Sequence, residues 1–132
     1  MSIVVDTSAI ISVITNEQHK SQLIKITRGE ELIAPESLHW EIGNAFSAMF
    51  KRKRIDIKVA KKAIKYYQMI PIRFVEINLD NSLEIAFKYK IYAYDAYFIV
   101  CALAYKLPLL TLDNRLIEVA KNVGIHIKEV KI

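Results

Sequence analysis

The stretch Ile3-Val4-Val5-Asp6-Thr7-Ser8 constrains the fold more than any other part of the chain. Three β-branched apolar residues in a row are too apolar for a half-solvated strand and too few for a helix, so they specify a central strand covered on both faces. That strand ends in a carboxylate, and a helical pattern follows at once through Ile10, Ile11, Val13 and Ile14. In an open α/β sheet this is the carboxyl edge, where ligands bind. Asp6 therefore stands at the centre of any chemistry the protein performs.

At 132 residues the chain fits one domain spanning 1–132, long enough to bury a substantial core. Hydrophobic residues make up 53% of it, yet no apolar run reaches the length of a membrane span, and no basic region precedes an apolar signal segment. A cytoplasmic protein with no membrane association is the expectation. The single cysteine, Cys101, has no internal disulfide partner and sits in an apolar segment, which predicts a buried, inert thiol. Lys and Arg outnumber Asp and Glu by 19 to 14, a net +5 that suits a polyanionic partner without requiring one.

Strand and helix patterns alternate along the rest of the chain. His19 to Ile26 reads as a helix ending near Gly29, and Leu32-Ile33-Ala34 before Pro35 as a short strand. From Ser37 to about Arg52 the apolar residues Leu38, Ile42, Ala45, Phe46 and Met49 recur at three and four, the mark of an amphipathic helix. Asp56 caps a following helix with Ile57, Ala60, Ile64 and Tyr67 inward and Lys58, Lys61, Lys62 and Lys65 outward. Arg73 to Ile77 alternates as a strand, and Asp80 is placed to cap a helix through Leu83, Ala86 and Phe87. Asp95 precedes an all-apolar helix from Ala96 to Ala104, Leu109 to Leu112 form a strand ending at Asp113, a helix runs to Gly124, and Ile125 to Val130 read as a last strand. This order predicts an α/β fold on a parallel sheet.

Each acid at a helix start has an ordinary explanation, because a carboxylate there accepts orphan backbone N–H groups and stabilises by ~1 kcal/mol. That covers Asp6, Asp56, Asp80, Asp95 and Asp113 taken singly. Two features lift a subset above it. Asp6 and Asp113 follow the two most apolar strands and emerge on one sheet edge if those strands are neighbours. Glu41 lies a full turn inside its helix beside the apolar stripe, where an unpaired carboxylate is costly. Acids that converge repel one another, and a hard divalent cation with oxygen ligands, Mg²⁺ or Mn²⁺, is the usual resolution. HExxH, CxxC, the phosphate-binding lysine loop and GxGxxG are all absent from the sequence, against zinc hydrolases, NTPases and dinucleotide enzymes.

Asp6-Thr7-Ser8-Ala9 after an apolar strand, Glu41 with Asn44 in a helix, Asp95-Ala96 opening an apolar helix and Thr111-Leu112-Asp113 ending a strand together resemble the PIN-domain ribonucleases, and most closely the VapC-type toxins of toxin-antitoxin pairs. The likeness spans almost the whole chain and departs at the bulky pair Tyr97-Phe98. It implies a three-layer α/β/α sandwich with a central parallel sheet. It implies a catalytic and metal-binding quartet of Asp6, Glu41, Asp95 and Asp113, with Ser8, Asn44 and Thr111 in support. It further implies an endoribonuclease that cleaves RNA phosphodiester bonds with a metal-activated water, a cognate antitoxin that neutralises it, and a homodimer.

Setting the quartet's four acids aside leaves ten against 19 bases, or +9 over the remainder of the chain, which suits an RNA substrate. The densest basic run, Lys51-Arg52-Lys53-Arg54, begins where the Glu41 helix ends. It is either a phosphate-binding patch or a solvated turn whose cations complement the helix dipole. Two rival functions stand beside the nuclease: a catalytically inactive PIN module that binds RNA or a protein, and a phosphohydrolase of another α/β family with Asp6 as nucleophile. The common form of the latter site wants a second acid two residues on, where this chain has Ser8.

Overall fold

A computed structural model describes residues 1–130. The elements follow the order β1 (Ser2–Val5), α1 (Thr7–Ile14), α2 (Lys20–Thr27), β2 (Glu31–Pro35), α3 (Ser37–Lys51), α4 (Ile57–Met69), β3 (Ile72–Val75), α5 (Leu79–Tyr89), α6 (Ala93–Tyr105), β4 (Leu109–Leu110) and α7 (Asn114–Asn122). The strands form one sheet in the order β3-β2-β1-β4, and every pairing is parallel. β1 is central, with Val4 opposite both Ile33 and Leu109 and Val5 opposite Leu110. Its three apolar residues are buried on both faces, as their composition requires.

Helices cover the sheet on both sides, giving the three-layer α/β/α architecture. α6 lies against β1, β2 and β4 with α5 and α7 beside it, and α1 packs with α2, α3 and α4. The apolar character of α6 all round its axis is explained by this position, since Ala96 and the run Phe98 to Ala102 are buried. Cys101 is fully buried there, and burial pushes its thiol up to about 12, so it is inert at neutral pH.

Three expectations are corrected. The segment Ile125 to Val130 forms a single parallel bridge, Leu109 to Ile127, and not a strand, because β4 is itself only two residues long and offers little edge to extend. Asn78, not Asp80, caps α5 by accepting from Asn81 N–H, and Asp80 falls inside the first turn. Ile57 is more than half exposed at the start of α4, where Ala60, Ala63 and Tyr67 face the core instead. On α5, Leu79, Leu83 and Phe87 are all exposed and form one row at four-residue spacing. Among the described residues no helix is long and apolar enough to cross a membrane.

Candidate active site

The strand order places the site. The chain progresses from β1 through β2 to β3 on one side and returns to β4 on the other, so the switch point lies between β1 and β4. In open α/β sheets the carboxyl ends of the strands at such a switch point are where ligands bind. Asp6 follows β1 and Thr111 follows β4 in matching register, and Asp6 N–H donates to Leu110 O at 3.2 Å.

Asp6 is only 4% exposed, and its carboxylate is tightly held. One oxygen, Oδ1, accepts from Ala9 N–H at 3.0 Å as the N-cap of α1 and from the Ser8 hydroxyl at 2.7 Å. The other, Oδ2, accepts from the Thr111 hydroxyl. Ser8 and Thr111 are themselves 3.3 Å apart, and each also accepts a backbone N–H, from Leu112 and Asp113 respectively. The two hydroxyls thus tie the end of β1 to the turn after β4 through one carboxylate. Burial raises Asp6 from 3.8 to about 6, against the lowering effect of these hydrogen bonds and with further upward pressure from the charge of Asp113.

The remaining acids arrive from three helices. Glu41 sits on α3 beside the buried Ile42, and its partner is the Thr7 hydroxyl, which donates to Oε2 at 2.5 Å. Burial pushes Glu41 up from 4.5 to about 7; the Thr7 bond opposes this, while Asp95 and Asp6 add to it. Asp95 lies in the first turn of α6, whose cap position is Tyr92, so the capping explanation fails for it. Its carboxyl is also raised, by burial first and then by Asp113, with Arg115 opposing. Asp113 caps α7, accepting from Arg115 and Leu116 N–H. The charge of Asp113 acts on Asp6 and on Asp95, and those of Asp95 and Asp6 act on Glu41, so these acids lie within electrostatic reach of one another. Among the described residues the salt bridges join other groups, and no member of the quartet has a cation within ion-pair distance.

All donors in this set are hard carboxylate oxygens, which fits Mg²⁺ or Mn²⁺ and not zinc or copper. Among the described residues no three His, Cys, Asp or Glu close on one point as a finished ligand shell. Mg²⁺ ordinarily takes one or two carboxylates and keeps several waters, so an open set of this kind suits it.

Two groups of candidates stand apart. Asn44 is exposed one turn beyond Glu41, with no hydrogen bond from its side chain to any described residue. Lys51, Arg52, Lys53 and Arg54 are exposed at the far end of α3, roughly 15 Å along the axis from Glu41. There Lys53 adopts φ 55°, and Arg54 N–H and Lys53 N–H donate to Met49 O and Phe50 O, closing α3 in a Schellman turn. Thr7 was not among the sequence candidates. The departure at Tyr97-Phe98 resolves into a fully buried Phe98 and a Tyr97 that lines a cavity with Pro35 and Val75.

The PIN-domain family model matches residues 3–122. The chain belongs to the PIN-domain family. Solved structures with the same fold include PAE2754 from Pyrobaculum aerophilum, 24% identical over 92% of this chain and 81% of that one, with a TM-score of 0.71. VapBC2 from Rickettsia felis, solved bound to a DNA fragment from its promoter, matches at 10% identity over 99% of this chain and 100% of that one, also at 0.71. Mycobacterium tuberculosis VapC20, a sarcin-ricin loop cleaving toxin, matches at 11% identity, 93% and 95% coverage and a TM-score of 0.63. Comparison with curated proteins gives no match. In this PIN domain Asp6 follows β1 and Asp113 follows β4, the strands on either side of the switch point, while Glu41 lies on α3 and Asp95 on α6.

Proposed function

We propose that this PIN domain is a Mg²⁺- or Mn²⁺-dependent endoribonuclease whose active site is Asp6, Glu41, Asp95 and Asp113. The observation that supports the reading is that Asp6, Glu41 and Asp95 are each raised by burial and by the charge of another acid of the set, Asp6 to about 6 and Glu41 to about 7, with Arg115 the one cation opposing, at Asp95. Such a cluster is unfavourable by itself and is relieved by a divalent cation. When bound, that cation supplies Lewis-acid stabilisation of the charge developing on the phosphate and lowers the pKa of water.

The chain's own residues prepare this site in three ways. Ser8, Thr111 and Ala9 N–H occupy defined lone pairs of Asp6, so its carboxylate cannot rotate as charge accumulates nearby. Thr7 holds Glu41 in the same manner from across the α1–α3 contact. The Ser8 hydroxyl donates to Asp6 and accepts from Leu112 N–H, which suits a role in positioning Asp6, with water as the nucleophile in this reading.

We further assign the protein to the VapC-type toxins, neutralised by a cognate antitoxin in the cytoplasm. The fold shared with VapBC2 and VapC20 supports this. The exposed row Leu79, Leu83 and Phe87 supports self-association as a homodimer, since contiguous exposed apolar residues mark interaction surfaces. Incubating protein with Mn²⁺ and either RNA or a small phosphomonoester tests the enzymatic reading. Internal RNA cleavage with the monoester intact is the expected result. Monoester hydrolysis would favour a phosphohydrolase, and RNA binding without cleavage an inactive module.

A further inference from the structure

A trough of about 210 Å³ runs along α7 from Thr111. Thr111, whose hydroxyl holds Asp6, and Asn114, which follows Asp113, form its head. One wall is the Asn114, Ile117 and Lys121 face of α7, spaced at three and four and running roughly 10 Å. The opposite wall is the segment from Ile127 to Val130, pinned to β4 where Lys128 N–H donates to Leu109 O at 2.9 Å, and His19 closes the side. Leu112, Ile117, Ile127 and Val130 make its lining partly apolar.

Lys121 and Lys128 both line the trough, with Glu129 as its one acid. Among the described residues neither ammonium has a hydrogen-bond or ion-pair partner. Two cations without partners among the described residues, over a partly apolar floor that begins at the threonine holding Asp6, match a chain that alternates phosphates with flat rings. Single-stranded RNA has that chemistry, because its bases are free to lie on apolar surface while those of a duplex are stacked inward.

We propose that this trough is the subsite that carries the RNA strand away from the scissile phosphate, with Lys121 and Lys128 on backbone phosphates and the apolar lining under a base or ribose. The inference rests on the ribonuclease reading above. It assigns the flanking contact to α7 and the Ile127–Val130 segment, in preference to the distant Lys51–Arg54 turn.

The test is the salt dependence of binding of a labelled single-stranded RNA, measured in EDTA so that the strand stays intact, for wild type, Lys121→Ala/Lys128→Ala and Lys51→Ala/Arg52→Ala. Each phosphate contact contributes about 0.7 to the slope of log K against log salt for a single strand. Loss of two contacts flattens the slope by about 1.4, so that between 50 and 200 mM salt wild type loses about sevenfold more affinity than the α7-side variant. The Lys51/Arg52 variant keeps the wild-type slope. Lys121→Ala alone, at an exposed position, should give half the effect and guards against misfolding of the double variant. In Mn²⁺ the double variant should raise KM with kcat retained. A wild-type slope in both α7-side variants, with wild type cleaving RNA, overturns the subsite alone, including the case in which they weaken binding of a protein partner instead. Absence of cleavage by wild type overturns the ribonuclease reading, whatever the slopes.

Discussion

Replacing Asp6 with Asn removes a charge that the folded protein holds at a cost, and the size of that cost follows from the site. Burial lifts the Asp6 carboxyl from 3.8 to about 6, so between those values the folded state binds a proton that the unfolded state has released. Stability contributed by this group is therefore greatest at low pH and is lost as pH rises through about 6. At about 1.4 kcal/mol per pKa unit the loss amounts to about 3 kcal/mol by pH 8. Asn keeps the shape and the Oδ1 acceptor for Ala9 N–H and Ser8, and its amide donates to Thr111 Oγ1 in place of the bond that oxygen gave. Urea unfolding of wild type and Asp6→Asn in EDTA at intervals from pH 4 to pH 8 reads the effect, to which the release of Glu41 from the Asp6 charge adds in the same direction. The stability of the variant relative to wild type should rise by about 2.4 kcal/mol across that range, the rest of the effect lying below pH 4. Parallel curves would refute the claim that Asp6 is a strained, buried carboxylate in the metal-free protein.

Glu41→Gln should abolish RNA cleavage, as should Asp6→Asn, with the fold intact by circular dichroism, whereas Asp56→Asn retains full activity because its carboxylate caps α4 at Val59 N–H, a bond the amide can keep. Asp80→Asn, in the first turn of α5, is a second active control, and loss of cleavage in either would mean the wrong acids are assigned. Thr7→Val removes the hydrogen bond that lowers Glu41, so the Glu41 carboxyl should move upward from about 7, seen by NMR titration of the metal-free protein; an unchanged midpoint would contradict the Thr7 contact. Lys53→Gly should stabilise the protein by about 1 kcal/mol in thermal unfolding, because φ 55° is disfavoured for a residue with a Cβ.

How much was legible in advance depended on whether the cause was local. Ile3-Val4-Val5 could be read as β1 because a run of β-branched residues has few other uses, and the period of Leu38, Ile42 and Phe46 marked α3 for a similar reason. Asp6 and Asp113 were within reach as acids after apolar strands, but only the β1–β4 pairing makes them neighbours, and that pairing is not written in either segment. Thr7 was missed because a threonine at the first position of a helix looks unremarkable until α3 is seen to bring Glu41 over it. Helix ends were hard to place for a chemical reason: Lys53, Lys90 and Lys106 occupy left-handed positions where glycine is the usual signal, and the chain has only three glycines. The alternation of Ile125 and Ile127 with polar residues is a strand pattern, but the edge it would join, β4, is two residues long, so only one bridge forms.

Asp95 offers the most direct test of the central claim, because it caps no helix and its removal breaks no hydrogen bond seen among the described residues. Wild type and Asp95→Asn are incubated with an end-labelled single-stranded RNA in Mn²⁺ and in EDTA, with thermal unfolding of both recorded under the same conditions. The quartet account predicts internal cleavage by wild type in Mn²⁺ alone, a melting temperature raised by Mn²⁺ in wild type and less so in the variant, and no cleavage by Asp95→Asn. Cleavage that persists in EDTA, or equal cleavage and equal Mn²⁺ stabilisation in the variant, would contradict it.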